Sequence, residues 1–267
     1  MVNNVIKSKH KPHALLLVES KLCDLNSFIS NYIKSIVCTG ENCEWCKKID
    51  TNSYFDIITI NGYASTIKKE EILNISNRFS NTAVESRGIK FYIIKGVEYA
   101  TQQAINSLLK FLEEPPIDTY AILTTRAINL VIPTIKSRCQ ICTFKSNFIV
   151  FDEILKKYDL DDAQKQAIKK TYYSYDDAID QLKSKMFYTT YDFANSFIHN
   201  TNDLSIIKSL QEQFSKFDYR QIELSLKLLN SLVSRNEQLF KLIDNVRANP
   251  NKILLFNNIW TVLQGVK

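Results

Sequence analysis

Five short apolar runs, all within the first 144 residues, constrain this chain more than any other feature: Ala14–Val18, 55–60, 90–94, 120–123 and 140–144. Each is rich in Ile, Leu, Val, Phe or Tyr, and longer polar or amphipathic stretches separate them. Unbroken apolar runs of this length suit strands covered on both faces, and the stretches between them are long enough for helical crossovers. A parallel sheet with flanking helices is expected. Two crossovers are legible. Over 67–79, Ile67, Ile72, Ile75 and Phe79 recur at helical spacing, with Ser65 or Thr66 placed to cap the helix. Over 101–114, Ala104, Ile105, Leu108, Leu109 and Leu112 form one stripe. Pro115-Pro116 ends that helix, because proline lacks an amide hydrogen and restricts the residue before it.

No strand pattern follows residue 144. Amphipathic helical segments take over at 151–158, 161–173, 176–186, 204–217, 219–234, 237–245 and Lys252–Gln264, and Asn249-Pro250-Asn251 breaks the last two apart. The expected organisation is an α/β domain at 1–146, a small helical lid at 147–186 and a helical domain at 187–267. With 45% hydrophobic and 23% charged residues the chain can bury a core, which excludes wholesale disorder. No apolar run reaches the ~18 residues that span a bilayer, and the polar, basic N-terminus lacks a signal-peptide core, so a cytoplasmic protein is expected. The charge, 34 Lys+Arg less 28 Asp+Glu or +6, is mild. It permits a nucleic-acid partner without implying one. Lys68-Lys69, Lys156-Lys157 and Lys169-Lys170 read as solvated faces before they read as a DNA-binding surface.

Three stretches carry a family resemblance: 103–116, which ends in Leu112-Glu113-Glu114-Pro115-Pro116; 120–125, a strand ending in Thr124-Thr125; and 132–140, which contains Ser137-Arg138-Cys139. In this order and spacing they resemble the core signature of bacterial DNA polymerase III clamp-loader subunits. That resemblance implies an AAA+-type core on a five-stranded parallel sheet, a helical lid, and a C-terminal helical collar that assembles with sibling subunits. Members differ in whether they hydrolyse ATP. A phosphate-binding loop needs glycines to bring amides round the phosphates, a Lys, and a Ser or Thr for magnesium. After its first strand this chain reads Glu19-Ser20-Lys21-Leu22-Cys23-Asp24-Leu25, with no glycine. The family's Asp-Glu pair falls on Lys95-Gly96. Both departures resemble the non-hydrolysing delta-prime branch, and no intrinsic ATPase or bound ATP is expected. Arg138 stands where the family places an arginine finger, given in trans to the ATP of a neighbouring subunit. Gamma/tau and delta subunits are the implied partners, with the sliding clamp and primer–template DNA reached through the complex. An ATP-binding subunit with a degenerate phosphate loop is the rival reading.

Cys38, Cys43 and Cys46 form a cluster ahead of Lys47-Lys48-Ile49, within 38–50, that resembles the family's four-cysteine zinc module. Gly40 stands where the fourth cysteine would be. Cys23, Glu41, Asp50 or a water could complete a tetrahedron, or the metal has been lost and the thiols are remnants. Cys139 and Cys142 read as small buried side chains, pointing to opposite faces of a strand. His10, His13 and His199 have no nucleophile in a recognisable arrangement, and adjacent Glu113 and Glu114 do not face each other as paired catalytic carboxylates would. No self-contained catalytic site is expected.

Overall fold

The computed structural model describes the chain except residues 1, 9, 42, 81, 146, 147, 234, 235, 247–250, 266 and 267. The chain divides into two compact units, Met1–Ser146 and Asn147–Lys267. The boundary residues 146 and 147, and Asn249 and Pro250 of the expected helix break, lie outside the described residues.

The first unit is built on β1 (Ala14–Val18), β2 (Ile57–Asn61), β3 (Lys90–Lys95), β4 (Thr119–Thr125) and β5 (Gln140–Thr143), all parallel, in the order β2-β3-β4-β1-β5. The strands fall where the apolar runs place them. Burial on both faces, however, is confined to β1, β3 and β4. In the edge strands β2 and β5, Thr59, Asn61, Gln140, Ile141 and Thr143 are exposed, because an edge strand has a neighbour on one side only.

Register places Leu15 beside Ile122 and Leu16 beside Leu123. Ala14, Leu16, Tyr92, Ile94, Ala121 and Leu123 therefore share one face, covered by α4 (Lys69–Ser80) and α5 (Gln102–Glu113). Leu15, Leu17, Phe91, Ile93 and Ile122 share the other, covered by α2 (Leu25–Val37), with α1 (Val2–Lys7) beside it. Full burial of each large apolar side chain contributes about 1.5–3 kcal/mol.

Two local expectations need correction. Neither Ser65 nor Thr66 caps α4: Ile67 is held in a parallel bridge with Ala100, and the helix begins at Lys69, with the Glu71 carboxylate accepting the Lys68 N–H at 2.8 Å. In α5, which Thr101 caps by accepting the Ala104 N–H at 3.2 Å, the buried stripe is Ala104, Leu108, Phe111 and Leu112. Ile105 and Leu109 lie at its margin.

The second unit is helical: α7 (Phe148–Leu155), α8 (Asp162–Thr171), α9 (Tyr175–Lys183), α10 (Met186–His199), α11 (Leu204–Lys216), α12 (Tyr219–Leu232), α13 (Glu237–Val246) and α14 (Lys252–Gln264). These follow the expected segments except α10, which sequence reading left unassigned. It packs on α9 and α12, and α12 packs on α8. The expected join near 186 falls between α9 and α10. Reciprocal capping boxes, Asp161 with Gln164 and Asp218 with Gln221, start α8 and α12. Phe193, Phe197, Phe214, Phe217 and Phe256 form a ring cluster, with Phe197 stacked on Phe256 at 4.8 Å between centroids. Among the described residues, no helix is long and apolar enough to cross a membrane.

Candidate functional site

Parallel α/β folds take ligands at the carboxyl ends of their strands, where loops diverge and helix N-termini point inward. In this chain that crevice is filled by its own side chains. Glu19, the first residue past β1, is buried and accepts hydrogen bonds from the Tyr63 hydroxyl at 2.7 Å, the Thr124 hydroxyl at 2.6 Å and Arg126 Nε at 3.2 Å. The Arg126 guanidinium lies 3.7 Å from the centre of the Tyr63 ring. Its backbone N–H donates to Glu98 at 2.9 Å. Burial first, and then the charge of Glu19, push the Tyr63 hydroxyl far above the ordinary tyrosine range, so it stays a donor.

The loop after β1 is equally closed. Leu22 takes a left-handed φ of 49° with its side chain fully buried. The N-terminus of α2, the feature that would meet a phosphate, is capped by Asp24, whose carboxylate accepts the Ser27 N–H at 3.3 Å. At the end of β3, two strands away, Lys95 Nζ donates to Asn26 at 3.2 Å. Gly96 adopts φ +69°, and a Cβ there would lie 2.6 Å from the Tyr63 ring. The tyrosine thus takes the space an acidic side chain at that position would use. Sequence reading identified Glu19, Asp24, Lys95 and Gly96 as departures, but missed Tyr63, Glu98 and Arg126. The one local signal was an arginine directly after the Thr124-Thr125 strand end.

Arg138 lies elsewhere on the same unit, between the short helix α6 (Pro133–Lys136) and β5. Its Nη1 donates to the Thr134 carbonyl at 2.9 Å and to the Ser137 hydroxyl at 3.3 Å, and its Nη2 pairs with the Glu113 carboxylate at the end of α5. Both side chains of the pair are partly exposed, 32% for Arg138 and 47% for Glu113. Glu113, set aside in the sequence as a catalytic carboxylate, is therefore a partner of Arg138.

The Sγ atoms of Cys38, Cys43 and Cys46 lie within 4.8 Å of one another, at the start of α3 (Glu44–Asp50). Among the described residues no fourth ligand joins them. Cys23 is packed in the core under α2, and Asp50 is paired with Lys34. Burial raises the Cys43 thiol, but hydrogen bonds from the backbones of Thr39 and Cys46 and the side chain of Thr39 outweigh it and bring it down to about 6. Burial and the two neighbouring thiols push Cys46 up to about 12. Three convergent soft donors fit three corners of a tetrahedral zinc site, whose charge would deprotonate all three. Cys142 is buried among the side chains facing α2, whereas Cys139 packs towards α5, on the other face of the sheet.

The family model described as DNA polymerase III, delta subunit, matches residues 1–148. The "Uncharacterized protein MG007 homolog" of Mycoplasma pneumoniae is 27% identical over 257 residues, covering 92% of this chain and 97% of that one. DNA polymerase III subunit delta' of Bacillus subtilis is 41% identical over 105 residues, 39% of this chain and 32% of its own length. The match thus spans about a third of that relative. A DNA polymerase III gamma subunit-related protein from Thermotoga maritima shares the fold at 17% identity with a TM-score of 0.63, covering 99% of this chain and 97% of its own.

Proposed function

Since the chain belongs to the DNA polymerase III clamp-loader family, we propose that it is the non-hydrolysing, delta-prime-type subunit, which binds no ATP and lends Arg138 in trans to an ATP held by a neighbouring gamma/tau-type subunit. The observation that carries this reading is the buried Glu19 carboxylate, satisfied by Tyr63, Thr124 and Arg126, in the crevice where a nucleotide-binding relative needs room for phosphates. Any phosphate entering there would displace a satisfied internal ion pair and meet a carboxylate of like charge.

Arg138 supplies what the rest of the chain lacks. Its guanidinium is permanently charged and forked, which suits charge spread over phosphoryl oxygens, and fingers of this kind are worth ~10³–10⁵ in rate. ATP binding in the neighbouring subunit would couple to gripping primer–template DNA and opening the sliding clamp, with a delta-type subunit completing the ring. The first unit serves as the AAA+ core, residues 147–186 as a lid, and 187–267 as the collar. Zinc held by Cys38, Cys43 and Cys46 would tie the loop between α2 and α3, a structural role.

The test is DNA-stimulated ATPase of the reconstituted complex. Arg138→Ala is expected to lower turnover by several powers of ten, and undiminished turnover would defeat the finger assignment. Labelled ATP added to the isolated chain is expected to show no saturable binding; micromolar binding would favour the degenerate-loop reading.

A further inference from the structure

We propose that Glu113 is the positioning residue of the Arg138 finger. The inference rests on the reading of Arg138 given above and adds the group that aims it. A guanidinium carries five N–H donors in a rigid fork. Arg138 commits three of them within the chain: two on Nη1, to Thr134 and Ser137, and one on Nη2, to Glu113. Nε–H and the second Nη2–H have no partner among the described residues. They sit on adjacent nitrogens and are left to meet phosphoryl oxygens. The internal grip thus holds the guanidinium through three of its donors and leaves two to work.

The placement of Glu113 supports a role beyond folding. It is the last residue of α5, followed by Glu114 as the C-cap, so two carboxylates stand against the negative end of the helix dipole. A lysine or arginine would serve that helix end better. The pairing with Arg138 accounts for an acid where local stability disfavours one. Because both partners are partly exposed, the contact adds little to the fold, and its removal should leave the chain intact. Its value lies in holding a long side chain, otherwise free to rotate, in one orientation before the phosphate arrives.

The experiment is steady-state ATPase of the reconstituted clamp-loader complex with DNA and clamp. Glu113→Ala is expected to lower kcat roughly two- to five-fold with KM unchanged, as for an exposed pair. Glu113→Gln, which keeps an accepting oxygen, should regain most of that loss. In an Arg138→Ala background, Glu113→Ala should change nothing further. Unchanged or raised turnover in Glu113→Ala overturns the proposal, as does a further loss in the Arg138→Ala background, which would mark a structural effect. If Arg138→Ala alone leaves turnover undiminished, the finger reading itself fails. A loss with Arg138→Ala but none with Glu113→Ala sinks only the role of Glu113.

Discussion

Removing the Arg126 guanidinium would strand the Glu19 carboxylate, whose side chain is 5% exposed, without its cation. Breaking one side of a buried ion pair costs about 3–5 kcal/mol. Two features reduce that figure here: Arg126 keeps 26% side-chain exposure, and Glu19 retains the Tyr63 and Thr124 hydroxyls as donors. Loss of the guanidinium from the Tyr63 ring adds about 0.5–1 kcal/mol. Arg126→Ala is therefore expected to destabilise the first unit by about 2–3 kcal/mol. Glu19→Gln keeps an acceptor for both hydroxyls and leaves behind a guanidinium that water can reach, so about 1 kcal/mol is expected. The two changes should not add. The double variant should be more stable than Arg126→Ala alone, because the stranded charge is gone. Trp45, edge-on to Tyr54 at 6.4 Å, reports this unit, and its fluorescence during urea unfolding, in a Trp260→Phe background, gives the free energies. A double variant no more stable than Arg126→Ala would refute the reasoning.

Glu85 gives a pH-dependent case. Burial raises its carboxyl, but Lys48 at 2.7 Å and the Phe55 N–H at 3.1 Å outweigh burial and hold it below the ordinary glutamate range. A depressed folded value contributes stability above the unfolded value of about 4.3, and that contribution is lost as pH falls through the folded value. Lys48→Met should thus cost about 1 kcal/mol at neutral pH, with the gap to the parent closing in acid; a gap that stays constant in thermal unfolding across the acid range argues against the pairing. At Gly40 a Cβ would meet no atom within 4 Å, although φ +131° carries a strain cost of about 1–3 kcal/mol for a side chain. Gly40→Cys should raise zinc retention against a chelator and Cys46→Ser should abolish it, by elemental analysis; equal retention in parent and both variants would dismiss the zinc site.

The strands were legible because apolar runs bounded by polar stretches report burial directly, and α5 because its stripe ends at Pro115. Helix α10 was missed although Phe187, Tyr191, Ala194 and Phe197 follow helical spacing. Its aromatic and β-branched residues have weak helix propensity, and packing in the core of the second unit decides its state. The crevice was half legible. Missing glycines can be read locally, but what replaced them joins Glu19 to Tyr63, Thr124 and Arg126 across most of the sheet, and such pairings exist only once the strands are in register. Arg138 could be picked out by its neighbours in sequence, whereas its tie to Glu113, 25 positions away, could not.

Leu22 turns the chain out of β1 at a left-handed φ with no exposure at all. A glycine would take the turn more easily, yet it would leave a hole worth about 2–5 kcal/mol. The crevice is thus held shut by parts that lean on one another: Glu19 beneath Arg126, and the bare Cα of Gly96 beneath the Tyr63 ring. A redesign meant to admit an anion there has to change several of these positions together, since a glycine at position 22 leaves a void and a side chain at position 96 meets the tyrosine.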